Sequence, residues 1–137
     1  MCKRTYFCNN VKNLIQNLLK ILEVKLEELT EEEKKLLIAY SFGMISIMAD
    51  ENHISHNIKY FAIKKTIMKV FKYSKQETND ILKELINSIK KGGNEVFNIM
   101  IHQGKLVYNK YKANNYNEVY DKLTNMIDFI VSKEYLD

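Results

Sequence analysis

The chain has 137 residues, of which 46% are apolar and 28% charged, and its formal net charge is +4. That size holds one ordinary core with no separate catalytic domain, and that apolar share excludes disorder as the main state. There are only four glycines and no proline. The turn chemistry of a sandwich or barrel of short strands is therefore missing, and an all-α fold is the expectation.

The first 22 residues interrupt every apolar run with Asn, Lys or Gln and do not read as a signal peptide. Cys2 and Cys8 precede the first periodic stretch, where a bridge could not staple a core, so a reduced, cytoplasmic chain is expected. From Val11, the residues Leu14, Ile15, Leu18, Leu22 and Leu26 recur at helical spacing. They predict a first helix over 10–28, with residues 1–9 a candidate flexible lead-in. Thr30 and Glu33 form a capping box, and Glu31, Glu32 and Glu33 occupy the first turn, where the helix dipole favours acids. The second helix, 31–50, is apolar nearly all round, and Gly43 at its middle marks a place where another helix can approach closely. Its apolar stretch, 36–49, is shorter than the ~20 residues a bilayer span needs, so this helix is read as the buried centre of the fold.

Ser55 can cap a third helix, 56–72, with Ile58, Phe61, Ala62, Met68 and Phe71 inward. Ser74 and Glu77 open a fourth, 75–91, with Ile81, Leu82, Leu85, Ile86 and Ile89 in one stripe. Gly92-Gly93 ends it by permitting a left-handed cap. A fifth helix, 94–111, contains Gly104, which could split it. Asn115 and Glu118 cap a sixth, 116–134, with Tyr116, Val119, Tyr120, Leu123, Met126, Ile127 and Ile130 on one face. The expectation is a single all-α domain over 1–137, a compact bundle of five to seven helices around a buried central one.

No activated nucleophile, carboxylate pair or phosphate loop fits its structural context: Gly92-Gly93 leads into Asn94-Glu95, with no lysine and no preceding strand. The chain is therefore read as no enzyme, with no cofactor. Asp50, Glu51, His53 and His56 offer ligand types that zinc accepts. A closed site needs about four ligands, and His56 falls at a helix start, so a polar loop without a metal is the preferred reading. His102 lies among Ile99, Met100 and Ile101 and reads as an ordinary helix residue.

Charge is more informative. Between Asn52 and Gln76 stand six lysines and no acid, and residues 55–112 carry +8 against −1 for the first 54 residues and −3 for the last 25. Lys65, Lys69 and Lys72 at i, i+4, i+7 share a predicted helix face that ends beside Tyr73 and Lys75. Such a face suits an acidic protein, a nucleic-acid backbone or an anionic lipid surface, or it is simply a solvated face. Only Arg4 among the 21 basic residues is an arginine, which disfavours base reading. Tyr108 and Tyr111 are expected to be an exposed contact pair, and Tyr116 and Tyr120 to be buried.

Residues 36–85 hold an apolar helix ending in Ala49, an acidic turn, Ile54-Ser55, a long helix, and Ser74-x-x-Glu77. This pattern resembles the helical core of the tellurite-resistance protein B-like family, with Glu51-Asn52 where that family has Asp-Gly and Ile58 where it has an acid. Asn52 is expected to take the left-handed turn. The resemblance implies a helical stress protein binding a cation over residues 50–56. In its size, Asn-, Lys- and Ile-rich makeup and lack of a catalytic set, the whole chain is similar to the small all-α immunity proteins of bacterial polymorphic-toxin and contact-dependent inhibition systems. That resemblance implies a cytoplasmic, non-catalytic protein that binds one cognate toxin domain. The candidate contacts are Lys65, Lys69, Lys72, Tyr73, Lys75, Tyr108 and Tyr111. Nonspecific nucleic-acid binding through the lysine-rich helix is the third reading.

Overall fold

A helix start leaves amides without partners, and in this chain five starts satisfy them with a side chain. The Thr30 hydroxyl accepts from the Glu33 amide at 3.1 Å while the Glu33 carboxylate accepts from the Thr30 amide at 2.9 Å, and Ser74 with Glu77 repeats both distances. Ser55, Asn94 and Asn115 accept from the amides of Ile58, Phe97 and Glu118. The computed structural model describes residues 3–90 and 92–136. It contains six α-helices, α1 (Lys3–Leu22), α2 (Glu31–Glu51), α3 (His56–Val70), α4 (Lys75–Ser88), α5 (Glu95–Lys112) and α6 (Tyr116–Leu136), with a 3-10 turn at Leu26–Glu28. No strand occurs among the described residues.

Helix ends are made in a costlier way. Glu23, His53, Lys72 and Asn114 all adopt left-handed backbone conformations, with φ between 54° and 63°. Behind three of them the chain closes with a 6→1 hydrogen bond, from Val24 to Leu19, Ile54 to Ala49 and Asn115 to Lys110. Only the α4–α5 connection uses glycine for this purpose, Gly92 at φ 87°. In the turn after α2 the left-handed residue is His53, not the expected Asn52, whose φ is −99°.

Helix α2 is the centre, buried from Leu36 to Ala49 apart from partly buried Ile47. Its closest neighbour is α5, and it also packs on α3 and α1. The α2–α5 crossing is made by absent side chains. A Cβ at Gly43 would run into the Ile101 carbonyl oxygen, and a Cβ at Gly104 into the Tyr40 carbonyl oxygen. Gly104 therefore does not split the fifth helix: α5 is continuous, and its glycine lets it lie against α2. The hydroxyls of Ser41, Ser46, Thr66, Thr78 and Ser88 would be costly in this core, but each donates to a carbonyl three or four residues back.

The first helix begins at Lys3 rather than near residue 10. Residues 3–9 are thus helical, and Phe7 and Cys8 are buried. Cys8 is a free thiol inside the helix, not ahead of it, while Cys2 lies outside the described residues. Among the expected core residues of α3 and α4, Phe61, 36% exposed beside α1, and Ile89, just past the end of α4, face outward instead.

Candidate partner-binding surfaces

Helices α1 and α3 pack side by side, and together they carry Lys3, Arg4, Lys12, Lys20, Lys59, Lys64, Lys65 and Lys69 without one Asp or Glu. Two of the expected contact residues, Lys65 and Lys69, lie here. With Lys12 and Asn9 of α1 they line a shallow notch of about 60 Å³ whose other walls are Cys8 and Thr66. The Arg4 guanidinium sits 3.8 Å from the centroid of the Phe61 ring, and the Lys65 ammonium is 6.0 Å from it. This contact explains why Phe61 remains at the surface: the cation covers one face of the ring. Four lysines elsewhere find acids, Lys34 on Glu31, Lys110 and Lys122 on Glu118, and Lys112 on Glu51. Among the described residues Arg4, Lys12, Lys65 and Lys69 enter no such pair. Lys59 is buried, and desolvation holds its ammonium below the usual lysine range, partly offset by Asp50.

Lys72 and Tyr73 do not extend this face. Helix α3 stops at Val70, and Lys72 sits beyond it in the left-handed turn, so the i+7 relation to Lys65 is lost. Tyr73 instead turns towards α2, where its hydroxyl donates to Glu31 Oε2 at 2.8 Å. It lines a groove of about 190 Å³ with Glu31, Lys35, Glu77, Asp80 and Glu84, an acidic setting opposite in sign to the lysine face. The bonds from Tyr73 and then Lys34 hold the Glu31 carboxylate below the usual range. Desolvation, and then that same bond to Glu31, push the Tyr73 hydroxyl above its usual range. Lys75 is exposed in the first turn of α4.

The tyrosines exchange their expected roles. Tyr108 is buried, 6% exposed, and Tyr111 is half-buried with its hydroxyl accepting from Asn17 Nδ2 at 3.0 Å. Tyr116 and Tyr120 are exposed, at 40% and 41%. With Asn17, Lys20, Ile21 and Glu23 they line the roomiest of these grooves, about 450 Å³, between α1 and α6. Rings run inward from it, Tyr116 to Tyr111 at 5.9 Å and Tyr111 to Tyr108 at 6.4 Å. The readable signal was the α6 stripe itself: Val119, Leu123 and Ile130 are its buried line, and Tyr116 and Tyr120 flank that line.

The acidic turn does not assemble. Glu51 is paired with Lys112 at 2.9 Å, the His56 ring stacks on Tyr60, and the His53 carbonyl accepts from Lys3. Among the described residues no group of three or more His, Cys, Asp or Glu side chains could hold a metal ion. His102 is exposed on α5. No helix among the described residues is long and apolar enough to cross a membrane.

No curated protein and no solved structure matches the chain. A protein-family model does: residues 7–131 match the one described as Immunity protein 48. That span covers the buried core of the described residues, from Phe7 to Ile130, and the chain belongs to the Immunity protein 48 family.

Proposed function

We propose that this protein neutralises one cognate bacterial toxin domain by binding it in the cytoplasm, and that it catalyses no reaction. The observation that carries the reading is the family match across residues 7–131. The geometry agrees with it. A core sealed at the α2–α5 crossing supports surfaces of distinct chemistry, a cationic layer on α1 and α3 and a tyrosine groove between α1 and α6. A preformed scaffold loses little entropy on association, which is what tight inhibition needs. Cation binding over residues 50–56 gains no support, because Glu51 and His56 are engaged elsewhere.

The test is to search the neighbouring reading frames for a large secreted protein with a toxic C-terminal domain and to co-express that domain with this chain. Restored growth and a stoichiometric complex on gel filtration are the expected results. Undiminished toxicity with both proteins soluble would reject the reading.

A further inference from the structure

We propose that the α1–α3 layer is the surface that receives the partner, and that what it receives is a carboxylate-bearing segment of protein. The proposal rests on the neutralisation reading and adds to it both a place and a chemistry. Two neighbouring helices totalling 35 residues carry eight basic groups and no acid. Folding does not require this: the core needs only their apolar stripes, and a row of like charges disfavours the compact state. Lys34 on α2, Lys110 and Lys112 on α5 and Lys122 on α6 are paired with acids within the chain, whereas Arg4, Lys12, Lys65 and Lys69 are left without acids among the described residues.

The notch between the helices narrows the ligand. Besides Thr66, the polar residues that line it are Lys12, Lys65, Lys69 and Asn9. The Thr66 hydroxyl in its wall is already spent on the Ala62 carbonyl at 2.8 Å. Charged donors dominate such a rim, and an acceptor with more than one oxygen fits it. Beside it, Arg4 lies over the Phe61 ring at 3.8 Å. Stacking occupies the face of the guanidinium and leaves the donors in its plane for a second acceptor.

Protein carboxylates fit better than a nucleic-acid backbone. A notch of about 60 Å³ takes one anionic group, whereas a nucleic-acid site is a groove that follows successive phosphates and offers aromatic faces to bases. Here Arg4 already covers one face of the Phe61 ring, which leaves Tyr6 on α1 as the layer's more exposed ring. A toxin surface that binds nucleic acid would itself be cationic and repelled by this layer. The partner therefore docks through an acidic surface, whether that is its own active site or ground beside it.

The experiment compares association and dissociation rates of the toxin domain that the co-expression test identifies with wild-type protein, with Lys12→Glu/Lys65→Glu/Lys69→Glu, and with the milder Lys65→Gln/Lys69→Gln. Circular dichroism confirms that each variant is folded. At low salt we expect at least tenfold slower association for the triple variant, a smaller loss for the double, and a wild-type rate that falls as salt is raised. Wild-type binding that both folded variants match would overturn the surface while leaving neutralisation standing. Absent wild-type binding would sink neutralisation, and the surface with it. A 20-base-pair DNA duplex bound more tightly than the toxin domain would overturn the carboxylate partner.

Discussion

Helices α2 and α5 approach until each backbone touches the place where the other has a glycine, Gly43 against the Ile101 carbonyl and Gly104 against the Tyr40 carbonyl. Helices α1 and α3 meet through full side chains: α1 sends Phe7, Val11 and Leu14 into the core, and α3 sends Ala62, Ile63 and Ile67. The first contact constrains both partners to the atom, because a backbone carbonyl cannot rotate away as a side chain can. The second leaves the outer faces of its helices free, since burial fixes only one stripe of each. Residues at the crossing are thus explained by folding alone, and the uncompensated charge of the α1–α3 layer is not.

The comparison breaks first at the glycines. Gly104→Ala and Gly43→Ala should each cost about 3 kcal/mol, because a methyl group driven into a backbone carbonyl is overpacking with no rotamer to relieve it. Urea unfolding measures this, and a loss under about 1 kcal/mol for either variant would mean that the helices can part cheaply. The same crossing harbours an opposite case. The Tyr40 hydroxyl is buried with no hydrogen-bond partner, and burial pushes its ionisation well above the usual tyrosine range. Tyr40→Phe removes a desolvated group that gains nothing in return, so it should stabilise the fold by about 1 kcal/mol. A destabilised Tyr40→Phe would show that the hydroxyl has a partner after all.

Most of the architecture was legible because it rests on local rules. Thr30, Ser55, Ser74 and Asn115 announced four helix starts, and all-round apolarity announced α2 as the buried centre. Gly43 announced a close approach, but Gly104, seen alone, read as a helix breaker. Its meaning lies in the Tyr40 carbonyl, 64 positions earlier in the chain. The start of α1 was missed because Lys3, Arg4 and Thr5 carry no apolar period, although Phe7 extends the stripe by one turn from Val11. At the candidate surface, Lys65 and Lys69 were legible as a charged pair at helical spacing. Their partners Arg4 and Lys12 were not, because only packing brings α1 beside α3. The tyrosines were exchanged for a similar reason: whether Tyr108 or Tyr116 is buried depends on which helix lies opposite, and spacing along one helix does not say.

Smaller effects sharpen the other side of the comparison. If the α1–α3 lysines are free of folding duties, Lys12→Glu/Lys65→Glu/Lys69→Glu should change stability by no more than about 0.5 kcal/mol, with relief of self-repulsion favouring a slight gain. A thermal melt checks this, and a loss above about 2 kcal/mol would place these lysines in the fold's own economy.

The smallest effect is electrostatic and belongs to the acidic groove on α2 and α4. Glu31 accepts from the Tyr73 hydroxyl at 2.8 Å and from the Lys34 ammonium at 3.1 Å. Of the two bonds, the one from Tyr73 does more to hold its carboxylate below the usual range. A depressed carboxyl stabilises the fold above the unfolded-state pKa, and that contribution is lost as pH falls through the lower folded value. The raised Tyr73 hydroxyl works the other way, contributing below the ordinary tyrosine pKa and losing that contribution as pH climbs through its raised folded value. The pair is therefore intact across the neutral range and fails at both extremes. Tyr73→Phe should move the Glu31 titration midpoint up towards the ordinary glutamate range, and Lys34→Ala should move it by less. Carbon-13 NMR of the side-chain carboxyl follows both. Because Glu31 lies at the surface, neither variant should alter the α2–α5 crossing or shift the melting temperature appreciably. A larger shift for Lys34→Ala would make simple charge pairing, rather than the Tyr73 bond, the main influence on Glu31, and Tyr73 would then be free to serve as an anchor for a partner.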